Sequence, residues 1–299
     1  MRSWRWLGGI VRELRRLGQI EQRLERVQAA LGRVEARQLK DVRSSAEAEF
    51  QVFSQWGEDG IIQWLVRHVP IEHQLFVEFG VQDYRESNTR FLLVNNGWAG
   101  LVMDGSAENV RRIREDGIYW RHNLKAQAEF VTRENINELL TGNGVQGSIG
   151  LLSIDIDGND YWVWEAITVV EPAIVVVEYN ARFGPRRAVT VPYRADFVRS
   201  RAHYSMIYYG ASLTALWALG RRKGSALVGC NSAGNNAFFV RHDLLGALRP
   251  LTPEEAFRPN CFREARDQTG ALAFLTPSEE EALLAGLPLV EVEDREHAA

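Results

Sequence analysis

The first forty residues repeat apolar side chains at alternating steps of three and four. Ile10, Leu17, Leu24 and Leu31 occupy one heptad position and Ile20, Val27 and Val34 the other, with Arg, Glu and Gln between them and Glu13 interrupting the second series. That spacing predicts a helix over 10–38 that self-associates through its seam, the alternative being a single amphipathic helix folded back on its own domain. Past a short linker at 44–49 the pattern changes: an apolar helix, Ile61 to Val69, ends at Pro70, and short β-branched runs then alternate with helical periodicity. Strands are predicted near 74–80, 99–104, 118–123, 149–155, 172–179, 225–230 and 236–241, and helices near 86–96, 107–116, 133–141, 160–168 and 212–223. The last two strands read as a hairpin. The expected fold class is therefore α/β, a doubly wound, seven-stranded, mostly parallel, Rossmann-like sheet with an N-terminal coiled-coil helix. Three segments follow: a basic amphipathic arm at 1–45, the α/β domain at 46–245, and a C-terminal cap and acidic tail at 246–299 with helices near 253–266 and 277–285 and no visible chemistry.

Charge sharpens this division. Residues 1–43 carry eleven Lys/Arg against five Asp/Glu, so the overall formal charge of -4 hides a basic arm on an acidic remainder. An acidic core without an aromatic-basic platform excludes nucleic acid as the expected partner. Trp4, Trp6 and Leu7 beside Arg2, Arg5, Arg12, Arg15 and Arg16 give residues 1–16 a composition able to lie on an anionic membrane surface. No run approaches the roughly 18 apolar residues that span a bilayer, and Trp6 to Val11 is too short for a signal-peptide core. The only cysteines, Cys230 and Cys261, are far apart, which argues for a reducing compartment and against a zinc site. The expected location is cytoplasmic, peripheral to the inner membrane face if the arm engages it.

Candidate chemistry collects where the strands end. In a doubly wound sheet ligands sit beyond the carboxyl ends, and those ends read Glu78-Phe79-Gly80, Asp104-Gly105-Ser106, His122-Asn123, Asp155-Ile156-Asp157-Gly158-Asn159-Asp160 and Glu178-Tyr179-Asn180. Gly80 lets backbone pass close to a ligand, and Asp104 lies where a ribose-binding acid belongs. A dinucleotide pyrophosphate needs Gly-x-Gly-x-x-Gly, but Gln82 and Arg85 hold the later positions, so S-adenosylmethionine, which has a ribose and no phosphate, fits better. Ser106 and Asp160 have the alternative of being helix caps.

These residues carry a family resemblance. Ser54-Gln55-Trp56-Gly57-Glu58-Asp59-Gly60, Phe76-Val77-Glu78-Phe79-Gly80-Val81, Ser153 through Tyr161, Tyr209-Gly210-Ala211-Ser212-Leu213 and Gly229 through Phe239 resemble class I S-adenosylmethionine-dependent methyltransferases, most closely the FkbM-like group, over about residues 50–245. The resemblance implies that Glu78 and Gly80 approach the methionine part, that Asp104 takes the ribose hydroxyls with Gly105 and Ser106 beside it, and that Asn123 or backbone near it meets the adenine. The family's Gly-x-Gly-x-Gly turn is replaced here by Gln82 and Tyr84 after Gly80. The fourth and fifth strand ends are also similar to divalent-metal O-methyltransferases of the catechol and caffeoyl-CoA type. Asp155 and Asp157 match their Asp-x-Asp, and Glu178 and Asn180 approximate their Asp-Asn with one residue inserted, which implies Mg²⁺ held by Asp155, Glu178 and Asn180. The alternative is that Asp155 meets the cofactor's methyl-donor end or an acceptor hydroxyl directly, while Asp157 caps the next helix. Gly158 stands where those enzymes place a lysine, so the base is expected among Asp155, Asp157, Glu178 and the outlying His203.

An insertion at 181–211, with Arg182, Arg186, Arg187, Arg194, Tyr193, Tyr204, Tyr208 and Tyr209, is placed to overhang the site, and the 231–236 turn emerges on the same side. The expected function is O-methylation of a hydroxyl on a sugar, polysaccharide or other small polyol. The rival expectations are a non-catalytic scaffold assembled by its coiled coil and a nicotinamide-dependent oxidoreductase.

Overall fold

In the computed structural model, which describes residues 2–292, the main sheet has seven strands: β1 (Leu75–Phe79), β2 (Ala99–Asp104), β3 (Leu124–Ala128), β4 (Gly147–Ile154), β5 (Val170–Glu178), β6 (Ser225–Cys230) and β7 (Asn236–Arg241). Their order across the sheet is β3-β2-β1-β4-β5-β7-β6, parallel except for β7, which runs antiparallel to both neighbours. This is the class I methyltransferase sheet. The ten helices are α1 (Arg2–Gln38), α2 (Glu58–His68), α3 (Ala107–Glu115), α4 (Gly117–Arg121), α5 (Ile136–Gly142), α6 (Asp160–Ala166), α7 (Arg199–Ala202), α8 (Leu213–Arg222), α9 (Pro253–Ala256) and α10 (Pro277–Ala285).

Strand alternation divides the core in two. Val77, Leu101, Leu152, Val175 and Phe239 pack on one face with α5, α6 and α8, and Phe76, Val102, Leu151, Ile174 and Phe238 on the other with α2, α3 and α4. A third cluster lies off the sheet: Phe183, Val189, Val191, Phe197, Ile207, Tyr208 and Tyr209 of the insertion pack on Ala265 and Leu284 of the tail. The insertion and the tail are therefore one structure, held by the pairing of Val189–Thr190 with Val290–Glu291 and by Arg182, buried between Glu264 and Glu280.

Three elements depart from expectation. The strand predicted at 118–123 is helix α4, because the Asp116 carboxylate accepts from the Ile118 amide and caps it; β3 follows at 124–128. The helix predicted from 86 starts only at Arg90 and closes in a π-turn over Leu92–Asn96, since 87–89 is held in place by Glu78. The helix predicted over 253–266 stops at Ala256, with Phe257 already out of helical geometry, and Pro259 shortly beyond bars its continuation.

α1 docks through small residues. Ala29 is buried, and a side chain at Gly32 would come within 2.5 Å of Val52 and 2.8 Å of Phe91. Glu25 pairs with buried Arg90 and Glu21 with Arg85. The side chains of residues 1–12, 14 and 15 lie outside the described residues, as do 293–299; the membrane contact expected of residues 1–16 falls almost wholly there. Among the described residues no helix is long and apolar enough to cross a membrane.

One buried carboxylate in the Ser54–Gly60 block ties α2 to the 52–54 segment. Asp59 Oδ2 accepts from the amides of Val52, Phe53 and Ser54, each at 2.7 Å, and from the Ser54 hydroxyl at 2.9 Å. Asp59→Ala strands three buried N–H groups, and at about 1–3 kcal/mol each the loss should exceed about 3 kcal/mol in urea unfolding; a change below about 1 kcal/mol would refute this role.

Candidate active site

The site begins where β1 and β4 touch. Gly80 has φ +78°, and a Cβ there would lie 1.6 Å from the Asp155 carbonyl oxygen, so only glycine allows the two strand ends to meet. Just before it, Glu78 turns its carboxylate inward and accepts from the Ser87 hydroxyl (2.7 Å), the Asn88 amide (2.9 Å), the Thr89 amide (3.1 Å) and the Thr89 hydroxyl (2.5 Å). Burial raises its pKa despite these donors. Glu78 thus fixes the 81–89 turn, in which Gln82 (φ +49°) and Tyr84 (φ +63°) take the left-handed conformations expected of glycines.

The second strand end forms a shallow cleft. Asp104 accepts from the Gln82 amide and, on its other oxygen, from the Ser106 amide and the Asn109 side chain. Gly105 lies under Phe130, with Glu129, Val131 and Met103 completing the wall. Ser106 is the N-cap of α3, its hydroxyl accepting from the Asn109 amide, so the capping alternative describes its side chain. Asn123 is displaced from the site. With β3 starting at Leu124, Asn123 sits at the amino end of the sheet, where its carbonyl accepts from Gly100 at the start of β2. The true carboxyl end of β3 supplies Glu129 and Phe130, neither singled out in the sequence because that strand was placed six residues early.

The fourth and fifth strand ends bring Asp155, Asp157 and Glu178 together, with one oxygen of each within 4.8 Å of the others. Glu178 is only 6% exposed, and its Oε2 has no hydrogen-bond partner. Burial, then the charges of neighbouring acids, hold the Asp155 and Glu178 carboxyls well above their ordinary range. Asp157 sits at φ +58° and accepts from Arg199 at 2.9 Å. Arg199, from α7, also pairs with Glu264, donates to the Met206 carbonyl and lies 3.8 Å over the Tyr209 ring. Neither acid caps α6, whose N-cap Asn159 makes no side-chain cap bond; the Asp160 carboxylate instead fastens the turn before the helix, accepting from the Ile156 and Gly158 amides, and burial pushes its pKa up to about 6.

Asn180 does not join the acids. β5 ends at Glu178 and Asn180 caps the next turn, so strand alternation no longer governs its direction. Fully buried, it donates to the Ile207 and Tyr209 carbonyls and accepts from the Arg182 amide, which pins the insertion. His203 bonds Ser205 and lies outside the cavity lining. Of the basic and aromatic insertion residues expected over the site, Arg182 is buried in ion pairs, Arg187 pairs with Glu291, Arg194 with Asp196, and Tyr193 bonds Glu134.

The cavity above the acids has a volume of about 520 Å³ and shares Gly80, Gln82, Phe130 and Asp155 with the Asp104 cleft. Trp56 stacks on Phe262 at its mouth, ring centroids 5.5 Å apart. Glu58 anchors this side: buried, it accepts from the side chains of Asn231 (2.7 Å) and Asn236 (2.9 Å) and from the Trp56 amide, clamping the β6–β7 turn to α2 and setting Asn235 and Asn236 into the wall. Arg199, Phe262 and Glu264 were missed from sequence; Phe262 and Glu264 correct the expectation of a tail without a part in the site. No periodicity marks any of the three.

No family model and no curated protein matches the chain. Solved structures similar to it include the N-terminal domain of EvdMO1 with S-adenosylhomocysteine bound (12% identity over 71% of this chain and 94% of that one, TM-score 0.40). A S-adenosylmethionine-dependent methyltransferase from Clostridium acetobutylicum ATCC 824 is 10% identical over 62% and 90% (TM-score 0.39). The O-methyltransferase from Bacillus cereus in complex with S-adenosylhomocysteine is 11% identical over 61% and 78% (TM-score 0.36). These likenesses are weak, and the class I S-adenosylmethionine-dependent methyltransferase fold rests on the strand order of the sheet.

Arg199 is the cation that tempers the acid cluster, since its charge lowers both the Asp155 and the Glu178 pKa. Arg199→Met should therefore move the carboxyl titrations seen by ¹³C NMR to higher pH, where the protonated forms persist longer. Unchanged midpoints would show that Arg199 has no electrostatic hold on the cluster.

Proposed function

We propose that the protein transfers a methyl group from S-adenosylmethionine to a hydroxyl of a sugar or other small polyol. The observation that carries this reading is the continuity between the Asp104 cleft, which suits a ribose, and a deep cavity floored by two carboxylates of raised pKa. When bound, S-adenosylmethionine supplies a methyl group on a sulfonium. The chain's part is to align and to hold a proton. Asp104 takes the ribose hydroxyls, and Gly80 allows close passage along the β1 turn. Trp56 and Phe262 offer a stacked aromatic face to an acceptor ring, and Asn235, Asn236 and Glu86 offer polar groups to its hydroxyls. Asp155 or Glu178, whichever is ionised, accepts the hydroxyl proton as the C–O bond forms and the C–S bond breaks, leaving a neutral thioether. A carboxylate held above its usual range is a stronger base than one in water, and fixed alignment supplies much of the rate.

Two rivals fit less well. A dinucleotide pyrophosphate needs free amides at the start of the helix after β1, and Glu78 already holds those of Asn88 and Thr89. A non-catalytic scaffold gains nothing from keeping two crowded carboxyls in the floor of a cavity, where each ionised form is costly.

A second reading adds a hard divalent cation such as Mg²⁺. The orphaned Glu178 Oε2 beside Asp155 and Asp157 is a donor set of the right chemistry, with Asp157 in the place expected of Asn180. Such an ion would lower the pKa of an acceptor hydroxyl; Asp157 would offer it the oxygen that Arg199 does not hold.

Calorimetry should show S-adenosylhomocysteine binding and no NAD binding, with Asp104→Ala weakening the former by about 1–3 kcal/mol. Binding of neither ligand would favour the scaffold, and equal binding by the variant would remove Asp104 from the ribose. For turnover with a polyol acceptor, the base must be ionised, so the rate should fall as pH drops through a midpoint above the ordinary carboxylate range. EDTA should leave transfer intact if the carboxylates act alone and abolish it, with rescue by Mg²⁺, if the trio holds a cation. A rate that stays level as pH falls into the ordinary carboxylate range would exclude a carboxylate base with a raised pKa.

A further inference from the structure

α1 has two opposite faces, and the domain uses only one. The residues turned toward the α/β domain are Glu25, Ala29, Gly32, Ala36 and, just past the helix, Leu39, a stripe with steps of four, three, four and three. If Leu17, Leu24 and Leu31 take heptad position a and Ile20, Val27 and Val34 position d, this stripe falls at b and f, across the helix from the seam. The seam is bare: its six side chains are 45% to 61% exposed. Among the described residues nothing covers it, and a continuous apolar stripe of this kind on a helix marks a contact surface.

The geometry points to further copies of this chain as the occupant: α1 forms a parallel homo-oligomeric coiled coil of more than two strands, with the catalytic domains on its outside. Three observations select that partner. The steps of three and four are those of knobs-into-holes packing, and the b/f docking leaves a and d free without moving the domain. Charge then sets direction. Arg16 and Arg23 precede a positions, and Glu21 and Glu35 follow d positions. A parallel, in-register neighbour brings Arg16 opposite Glu21, whereas an antiparallel one brings arginine against arginine and glutamate against glutamate. Glu21 already meets Arg85 of its own chain, but both groups are more than half exposed, so the contact can be shared or exchanged. An anionic lipid surface would be drawn to Arg16, Arg23 and Arg37 on one flank of the seam but would also have to accept Glu21 and Glu35 on the other, whereas a neighbouring copy matches both flanks. Strand number follows from side-chain shape, because leucine at a with β-branched residues at d favours three or four strands over two.

The test uses the full chain. Light scattering at micromolar concentration should give a mass of three or four chains, and Leu24→Glu with Leu31→Glu should reduce it to one. The circular dichroism and melting temperature of the domain should stay unchanged, since neither side chain touches it. In a Cys261→Ser background, Leu24→Cys should cross-link copies under mild oxidation, because a parallel register sets each residue 24 against its equivalents. A wild-type mass of one or two chains, a mass unaffected by the two glutamates, or no cross-link at residue 24 would each overturn the proposal. Sedimentation of a monomeric wild type with phosphatidylserine vesicles, lost in the double variant, would identify a membrane as the occupant instead.

Discussion

The carboxyl edge of this sheet depends on burying acids where backbone amides satisfy them. Glu78, Asp59, Asp104 and Asp160 each hold a turn by accepting two or more donors from it, and together they shape the 52–54, 81–89, 104–106 and 156–158 segments. A buried carboxylate met this way serves as a fastener, because breaking it strands several groups at once. Asp155 and Glu178 are the exceptions. They sit in the same ring of acids, yet no array of amides surrounds them, and their charged forms are correspondingly disfavoured. The distinction between fastening acids and uncompensated ones separates structure from chemistry at this edge.

The acids are shared between parts of the chain distant in sequence. Arg199 in the insertion bridges Asp157 from the β4 end and Glu264 from the tail, and Glu58 in α2 grips the β6–β7 turn. Each link spans a boundary between elements that the sheet alone would leave independent. Trp56 reaches the cavity mouth because Glu58 holds its amide on one side while Phe262 lies against its ring on the other.

Much of this was legible in the chain. β-branched runs bounded by turn residues located β1, β2 and the β6–β7 hairpin to within a residue or two, and an acid at each of the first, second, fourth and fifth strand ends marked the edge onto which the cavities open. What failed did so locally or at long range. Ile118, Tyr119 and Trp120 read as strand but obey the cap at Asp116, whereas Leu124-Lys125-Ala126-Gln127-Ala128 has weak strand character and is held by its neighbour β2. Asn180 was grouped with Glu178, yet it lies two residues past the end of β5, where strand alternation no longer sets direction. Phe262 and Glu264 have no local signal, for their placement comes from tail segments that bond the insertion and the β6–β7 turn far away in sequence.

That last dependence bears on biosynthesis. The tail crosses the hairpin where Gly234 leaves room for the Pro259 carbonyl, and the Cys261 amide donates to the Ala233 carbonyl. A nascent chain that has emerged only through Arg241 already contains all seven strands of the sheet, but not the roof, and Arg199 has one of its two carboxylate partners still to come. The sheet can therefore form without the tail, whereas the roof of the acid-lined cavity cannot.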